Sequence, residues 1–175
     1  SNWKWAHEGT FDYPTKDLLP RGPIPAKWMS YHGHYVFGNR AILSYSINGR
    51  KILEMPSKPK GFGAIIQTLR VDPGDTALKL KVAKLEKDNL FHGYLPLQAM
   101  EVKLEKAPTN GIAVSLEKEK EASGRFVAVF VQGDTQGLRT TWDEKHGIIL
   151  TIPPSKKTRT IQVIRFSGKN GAELL

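Results

Sequence analysis

His32 and His34 stand one residue apart in the run Tyr31-His32-Gly33-His34-Tyr35. On a strand, residues two apart share a face. The two imidazoles are therefore expected to point the same way, where they could give two ligands to one metal ion, with a third from His7, Glu8, Asp12 or His92. A histidine pair with no third ligand at a defined spacing is a loose signal, and such a pair serves equally as polar contacts on a half-buried sheet. We assign it no metal.

Upstream lie Trp3, Trp5, His7, Glu8, Asp12, Tyr13 and Trp28, and the same strand adds Tyr31 and Tyr35. Flat rings stack on sugar faces, and carboxylates and imidazoles bind hydroxyls. With His32 and His34, these residues form a candidate ligand-binding surface suited to a polysaccharide. The competing role is structural: each ring buries a large area, which an irregular segment needs to offset its ordering entropy. A third candidate is Lys156-Lys157-Thr158-Arg159, the compact basic cluster of the chain, where Lys156, Lys157 and Arg159 would bind an anion.

We assign no catalytic residue. Two carboxylates could converge for glycoside hydrolysis, but no spacing singles out a pair. No Gly-x-Ser-x-Gly elbow is present, and Gly61-Phe62-Gly63 is too short a glycine pattern for a phosphate loop. The enzyme alternative is a carbohydrate-active or metal-dependent site where the arm meets the His32–His34 strand. The absence of cysteine excludes disulfides, thiolate metal sites and covalent c-type haem attachment within this chain. The net charge of +9 would suit a polyanion, but the aromatics gather in the arm and the lysines elsewhere. Nucleic acid wants them interleaved on one face, so it is not an expected partner.

These candidates must be held by strands. Gly38-Asn39 and Asn48-Gly49 accept the positive φ that two-residue hairpin loops need. They divide residues 28–55 into a three-stranded meander. Further on, Leu69 and Val71 are inward in a strand over 64–71. Leu78, Leu80 and Val82 alternate with Lys79 and Lys81, and two alternating strands at 100–104 and 112–116 form a hairpin. Residues 126–131 are apolar at successive positions and read as a central strand. Shorter strands follow at 138–142, 148–152 and 158–166, the last with Ile161 and Val163 on one face and Ile164 and Phe166 on the other. Short strands broken by turn signals predict an all-β antiparallel sandwich, jelly-roll-like, of about nine to eleven strands.

Residues 1–30 are expected to form an extended arm packed on the domain, because Pro14, Pro20, Pro23 and Pro25 forbid a helix or central strand there. Residues 31–167 are the sandwich and 168–175 a tail. No apolar run approaches the roughly 18 residues that span a bilayer. The first residues carry no secretory signal and no initiator Met, which suggests a processed product or an excised domain.

The stretches Trp5-Ala6-His7-Glu8-Gly9-Thr10-Phe11-Asp12-Tyr13-Pro14, Leu19-Pro20-Arg21-Gly22-Pro23-Ile24-Pro25, Tyr31-His32-Gly33-His34-Tyr35 and Ala41-Ile42-Leu43-Ser44-Tyr45-Ser46-Ile47-Asn48-Gly49-Arg50 carry a resemblance. Together they resemble a domain of unknown function found in large exported proteins of planctomycetes and verrucomicrobia. Those proteins often also carry a sorbosone-dehydrogenase-like quinoprotein propeller and a c-type cytochrome domain. The resemblance implies a periplasmic or exported accessory module. Its partners would be other domains of the same parent protein or a redox partner. Haem c and pyrroloquinoline quinone (PQQ) would reside in those neighbours, with no cofactor in this chain. The expected function is a non-catalytic module that binds a glycan or docks against those domains.

Overall fold

The computed structural model describes residues 4–7, 9–11, 28–60, 64–83, 91–93, 112–116, 126–143 and 145–168. Within them the chain forms twelve strands and no helix, in two antiparallel sheets. The strands are β1 (Lys4–Trp5), β2 (Met29–Phe37), β3 (Arg40–Ile47), β4 (Arg50–Ser57), β5 (Ala64–Val71) and β6 (Leu78–Ala83). They continue as β7 (Phe91–Gly93), β8 (Ile112–Leu116), β9 (Phe126–Gly133), β10 (Arg139–Asp143), β11 (Gly147–Ile152) and β12 (Arg159–Gly168). One sheet runs β1-β6-β11-β10 and the other β2-β3-β4-β5-β12-β9-β8-β7.

The meander forms as its turn residues dictate. Asn48 and Gly49 have φ of 48° and 76°, both positive as a type I′ turn requires. At the preceding turn only Gly38 is positive, the pattern of a turn with glycine in its first central position. Alternation then sets the core. Tyr45, Ile47, Ile52, Leu69, Val71, Val129, Val131, Ile161 and Val163 from the eight-stranded sheet meet Trp5, Leu78, Leu80, Val82, Ile148, Leu150 and Ile152 from the four-stranded sheet in one buried cluster. Each such aliphatic side chain contributes about 1.5–3 kcal/mol on burial. The fold is thus a β-sandwich. Phe130 packs edge-on against Phe166 on the opposite face of the large sheet, so both faces of β9 are covered, as its unbroken apolar run implies.

The segment at 91–93, where the sequence reading has no strand, is strand β7, and it pairs with β8. The expected partner strand at 100–104 lies outside the described residues. So do Gly61-Phe62-Gly63, most of the Pro-rich arm and residues 169–175.

The arm does not lie loosely against the sandwich where it is described. β1 is the edge strand of the small sheet, with Lys4 opposite Lys81 and Trp5 opposite Leu80, and the Ala6 N–H continues the ladder to the Lys79 carbonyl at 2.8 Å. Trp5 enters the core. Ala6 and Phe11 cover Ile149 in a second small cluster.

At the end of β9 the chain passes close to the start of β12. Gly133 has φ of +97°, and a Cβ there would press on the Thr160 carbonyl oxygen well inside contact distance. Gly133→Ala should therefore destabilise the fold by about 1–3 kcal/mol, read as a lower urea midpoint at an unchanged m value.

Candidate functional site

The arm meets the large sheet through a chain of buried hydrogen bonds. Trp5 Nε1 donates to the Tyr45 hydroxyl at 3.0 Å, and that hydroxyl donates to Glu54 Oε2 at 2.5 Å. Gln67 Nε2 donates to Glu54 Oε1 at 2.8 Å. All four residues are buried. Burial first, then the Glu54 carboxylate, pushes the Tyr45 phenol well above the ordinary tyrosine range; the Trp5 hydrogen bond opposes the shift. Arg165 shares this inward face, in phase with Ile161 and Val163, and its Nη1 donates to the Val82 carbonyl at 3.2 Å. Burial lowers its pKa and Glu54 opposes that lowering. Chemically the arrangement is a clamp: a carboxylate with donors on both oxygens ties β1 to β3, β4 and β5.

None of these polar residues beyond Trp5 was singled out from the sequence. The signal was phase. Glu54 falls in step with buried Ile52, and Gln67 in step with Leu69 and Val71, so each is a polar side chain where the pattern calls for an apolar one.

The histidines of β2 do not converge. The β2–β3 register shifts between Tyr31 and Gly33, so His32 is an inserted residue. Such a bulge breaks alternation. His34 is now opposite Leu43, on the face of Tyr45, and its Nδ1 is 2.8 Å from the Tyr31 hydroxyl. His32 Nε2 is 2.6 Å from Ser46 Oγ, and Ser46 lies on the other face of β3 from Leu43. The expectation of a shared face is therefore corrected. Among the described residues no three His, Asp or Glu side chains are grouped as metal ligands.

The remaining candidate residues separate into used and unused rings. Trp5 is in the core. His7 stacks on Trp28 with ring centroids 4.0 Å apart and planes 8° from parallel, a contact that joins the arm to the start of β2. Tyr31 and Tyr35 are exposed at 57% and 62%. Beyond them Val36 and Phe37, not among the candidates chosen from the sequence, are exposed at 67% and 86%. Trp3, Glu8, Asp12 and Tyr13 lie outside the described residues.

At the end of the sandwich away from the β2–β3 turn, the β9–β10 and β11–β12 loops enclose an open cleft of about 870 Å³. Lys156, Lys157 and Arg159 line it together with Asp134, Thr135, Gln136, Ser155 and Thr158. Arg159 Nη1 donates to the carbonyls of Asp134 at 3.2 Å and Gln136 at 2.6 Å. Its Nε is buried with no acceptor among the described residues. Asp134 Oδ2 accepts from the Thr160 N–H at 2.7 Å. Behind the cleft, buried Arg50 donates to the carbonyls of Asp72, Thr76 and Pro153. Its pKa is lowered by burial and then by Arg159.

A family model described as a domain of unknown function (DUF6797) matches residues 1–54. No curated protein matches the chain. The matched residues run from the arm through β2 and β3 to Glu54, and so contain the Trp5–Tyr45–Glu54 chain, the His7–Trp28 stack and the exposed rings of β2.

Tyr45→Phe removes the hydroxyl between Trp5 and Glu54 and leaves a buried indole N–H without its acceptor, which should cost about 1–3 kcal/mol. The pH dependence has a definite sign. The unfolded tyrosine releases its proton near about pH 10, whereas the folded one holds it to higher pH. The stability that Tyr45 contributes is thus complete below about pH 10 and falls as pH rises beyond it. Urea titrations between about pH 9 and 11 should show a shallower alkaline decline in the phenylalanine variant than in the native protein.

Proposed function

We propose that this chain is a non-catalytic accessory module of a larger exported protein. In this reading it docks, through the β2 edge of its large sheet, against a neighbouring domain of that parent protein. The observation that carries it is the exposed sequence Tyr35-Val36-Phe37 at the end of an edge strand. Alternation sends Tyr35 and Phe37 to one face and Val36 to the other, so apolar side chains stand in water on both faces. Exposed apolar groups gathered at one place mark interaction sites, and an edge strand offers unpaired backbone N–H and C=O groups as well.

The partner surface has a definite chemistry. From residue 28 to residue 53 the chain has no Asp or Glu, and Arg40 is exposed beside the patch, opposite Phe37. An apolar patch with a cation at its edge is complementary to an apolar surface that carries a carboxylate. The family match over residues 1–54 covers the same segment, and the resemblance to modules accompanying quinoprotein and cytochrome domains suggests such domains as the neighbours. Haem c and PQQ would then act there, outside this chain, in a periplasmic or exported setting.

A glycan is the second reading, favoured by one observation: Tyr35 and Phe37 share a face and are both exposed. It is weakened at the arm, where Trp5 is buried and Trp28 is covered by His7.

Amide hydrogen exchange distinguishes the readings. Residues 31–37 should exchange faster in the isolated chain than in the full parent protein, and Val36→Ser/Phe37→Ser should abolish most of that protection while leaving the melting temperature within a few degrees. Equal exchange in both contexts would overturn docking. Glycan-array binding lost in Tyr35→Ala/Phe37→Ala would instead establish the second reading.

A further inference from the structure

We propose that the cleft between the β9–β10 and β11–β12 loops binds a tetrahedral oxyanion, a sulfate or phosphate group, through Lys156, Lys157 and Arg159. The site lies at the opposite end of the sandwich from the β2–β3 turn and is independent of the docking reading.

Arg159 carries the argument. A guanidinium presents its donors as a planar fork, and its Nε–Nη2 edge matches two oxygens of a phosphate, sulfate or carboxylate. Here Nη1 is held by the carbonyls of Asp134 and Gln136, which fixes the plane of the fork. Nε has no acceptor among the described residues, and neither does Nη2. The guanidinium is thus oriented with Nη2 unpaired where Arg159 lines the cleft, and the buried Nε beside it has no competing acceptor among the described residues. The backbone supports this geometry: Gly74 and Ser155 exchange hydrogen bonds of 2.8 and 3.0 Å, and Ser155 Oγ bonds to the backbone of Lys157.

The rest of the lining fits the same ligand. Lys156 and Lys157 are exposed and have no carboxylate partner among the described residues. Thr135, Gln136, Ser155 and Thr158 add hydroxyl and amide groups, and among the described residues no aliphatic or aromatic side chain lines the cleft, so the surface suits a hydrated, charged group. Asp134 is the one acid among the described lining residues, and its Oδ2 already accepts from Thr160 N. Three cations against one carboxylate favour a doubly charged group. Arg50 behind the cleft adds positive potential, and its Nη2 is also buried without an acceptor among the described residues. At about 870 Å³ the cleft has room for more than a lone ion, so the group can arrive free or as an ester on a larger hydrophilic molecule.

The test is an amide-shift titration of the whole chain with sodium sulfate, sodium phosphate and a heparin-derived hexasaccharide. Each is run against sodium chloride at matched ionic strength, because diffuse binding is screened by salt. Saturable shifts should centre on residues 133–136 and 155–159. Lys156→Ala/Lys157→Ala should weaken binding about tenfold. Lys58→Ala/Lys60→Ala, a charge-matched change at the opposite end, should leave it unchanged. Arg159→Lys keeps the charge and removes the fork, and should weaken binding by a similar factor. A hexasaccharide that binds more tightly than sulfate supports an ester-borne group, and equal affinity supports a free ion. Shifts reproduced by chloride, equal loss in both double lysine variants, or full binding by Arg159→Lys would each overturn the proposal.

Discussion

The fold depends on how it handles one buried carboxylate. Glu54 sits between two sheets, and an ionised carboxylate in such a place is costly unless its oxygens are met by donors. Tyr45 and Gln67 meet them, one on each oxygen. Tyr45 in turn accepts from Trp5, so satisfying an acid on β4 recruits strands β3 and β5 and then the arm. The arm's place follows from this. If β1 left the small sheet, the core would lose the Trp5 ring and the phenol would lose its donor. Two residues of ladder pairing and the Ala6 N–H bond join β1 to the small sheet; the hydrogen-bonded Trp5 ring, with Phe11 over Ile149, adds side-chain anchorage.

The end of the sandwich away from the β2–β3 turn is closed by charge of the other sign. Arg50 and Arg159 both stand at strand ends and are held by loop carbonyls rather than by carboxylates. Carbonyls satisfy N–H donors without neutralising the charge. The guanidiniums therefore hold the loops in place while leaving positive potential at that end. A Cβ on Gly74 would fall 2.5 Å from Arg50 Cγ, which shows how closely the β5–β6 loop is drawn over that side chain. The Arg159 charge beside the cleft is not neutralised by the carbonyls that hold it.

Much of this was legible in the sequence, and the exceptions have physical causes. The meander, the inward phases of Leu69, Val71, Leu78, Leu80 and Val82, the two-faced pattern of β12, and the sandwich class follow from alternation and turn chemistry, which are local. The bulge at His32 is also local, but Gly33 was read as an ordinary strand residue, so the histidines were placed on one face. A single inserted residue reverses that inference. The clamp was hidden for another reason. Tyr45 and Glu54 share one hairpin, but Gln67 and Arg165 are distant in sequence and join them only through the strand order β3-β4-β5-β12. Lys156, Lys157 and Arg159 were visible as a cluster, but the cleft needs Asp134, Thr135 and Gln136, which arrive on a different loop.

The β2 edge then poses a problem that the Glu54 clamp does not. The clamp gives a buried polar group its partners, yet the tip of β2 puts Phe37 almost wholly in water. Edge strands in soluble proteins are commonly guarded by charge, proline or a bulge. β2 has the bulge, but it falls at His32, in the half of the strand nearer the core, and residues 34–37 beyond it pair in regular register with β3. The unguarded half is therefore the apolar half. Proline and acidic side chains, which would discourage strand addition or apolar contact, are absent from residues 28–53. A surface so arranged is unfavourable for an isolated chain and favourable for one that meets a complementary surface, which is why the docking reading rests on the end of this strand and not on the arm.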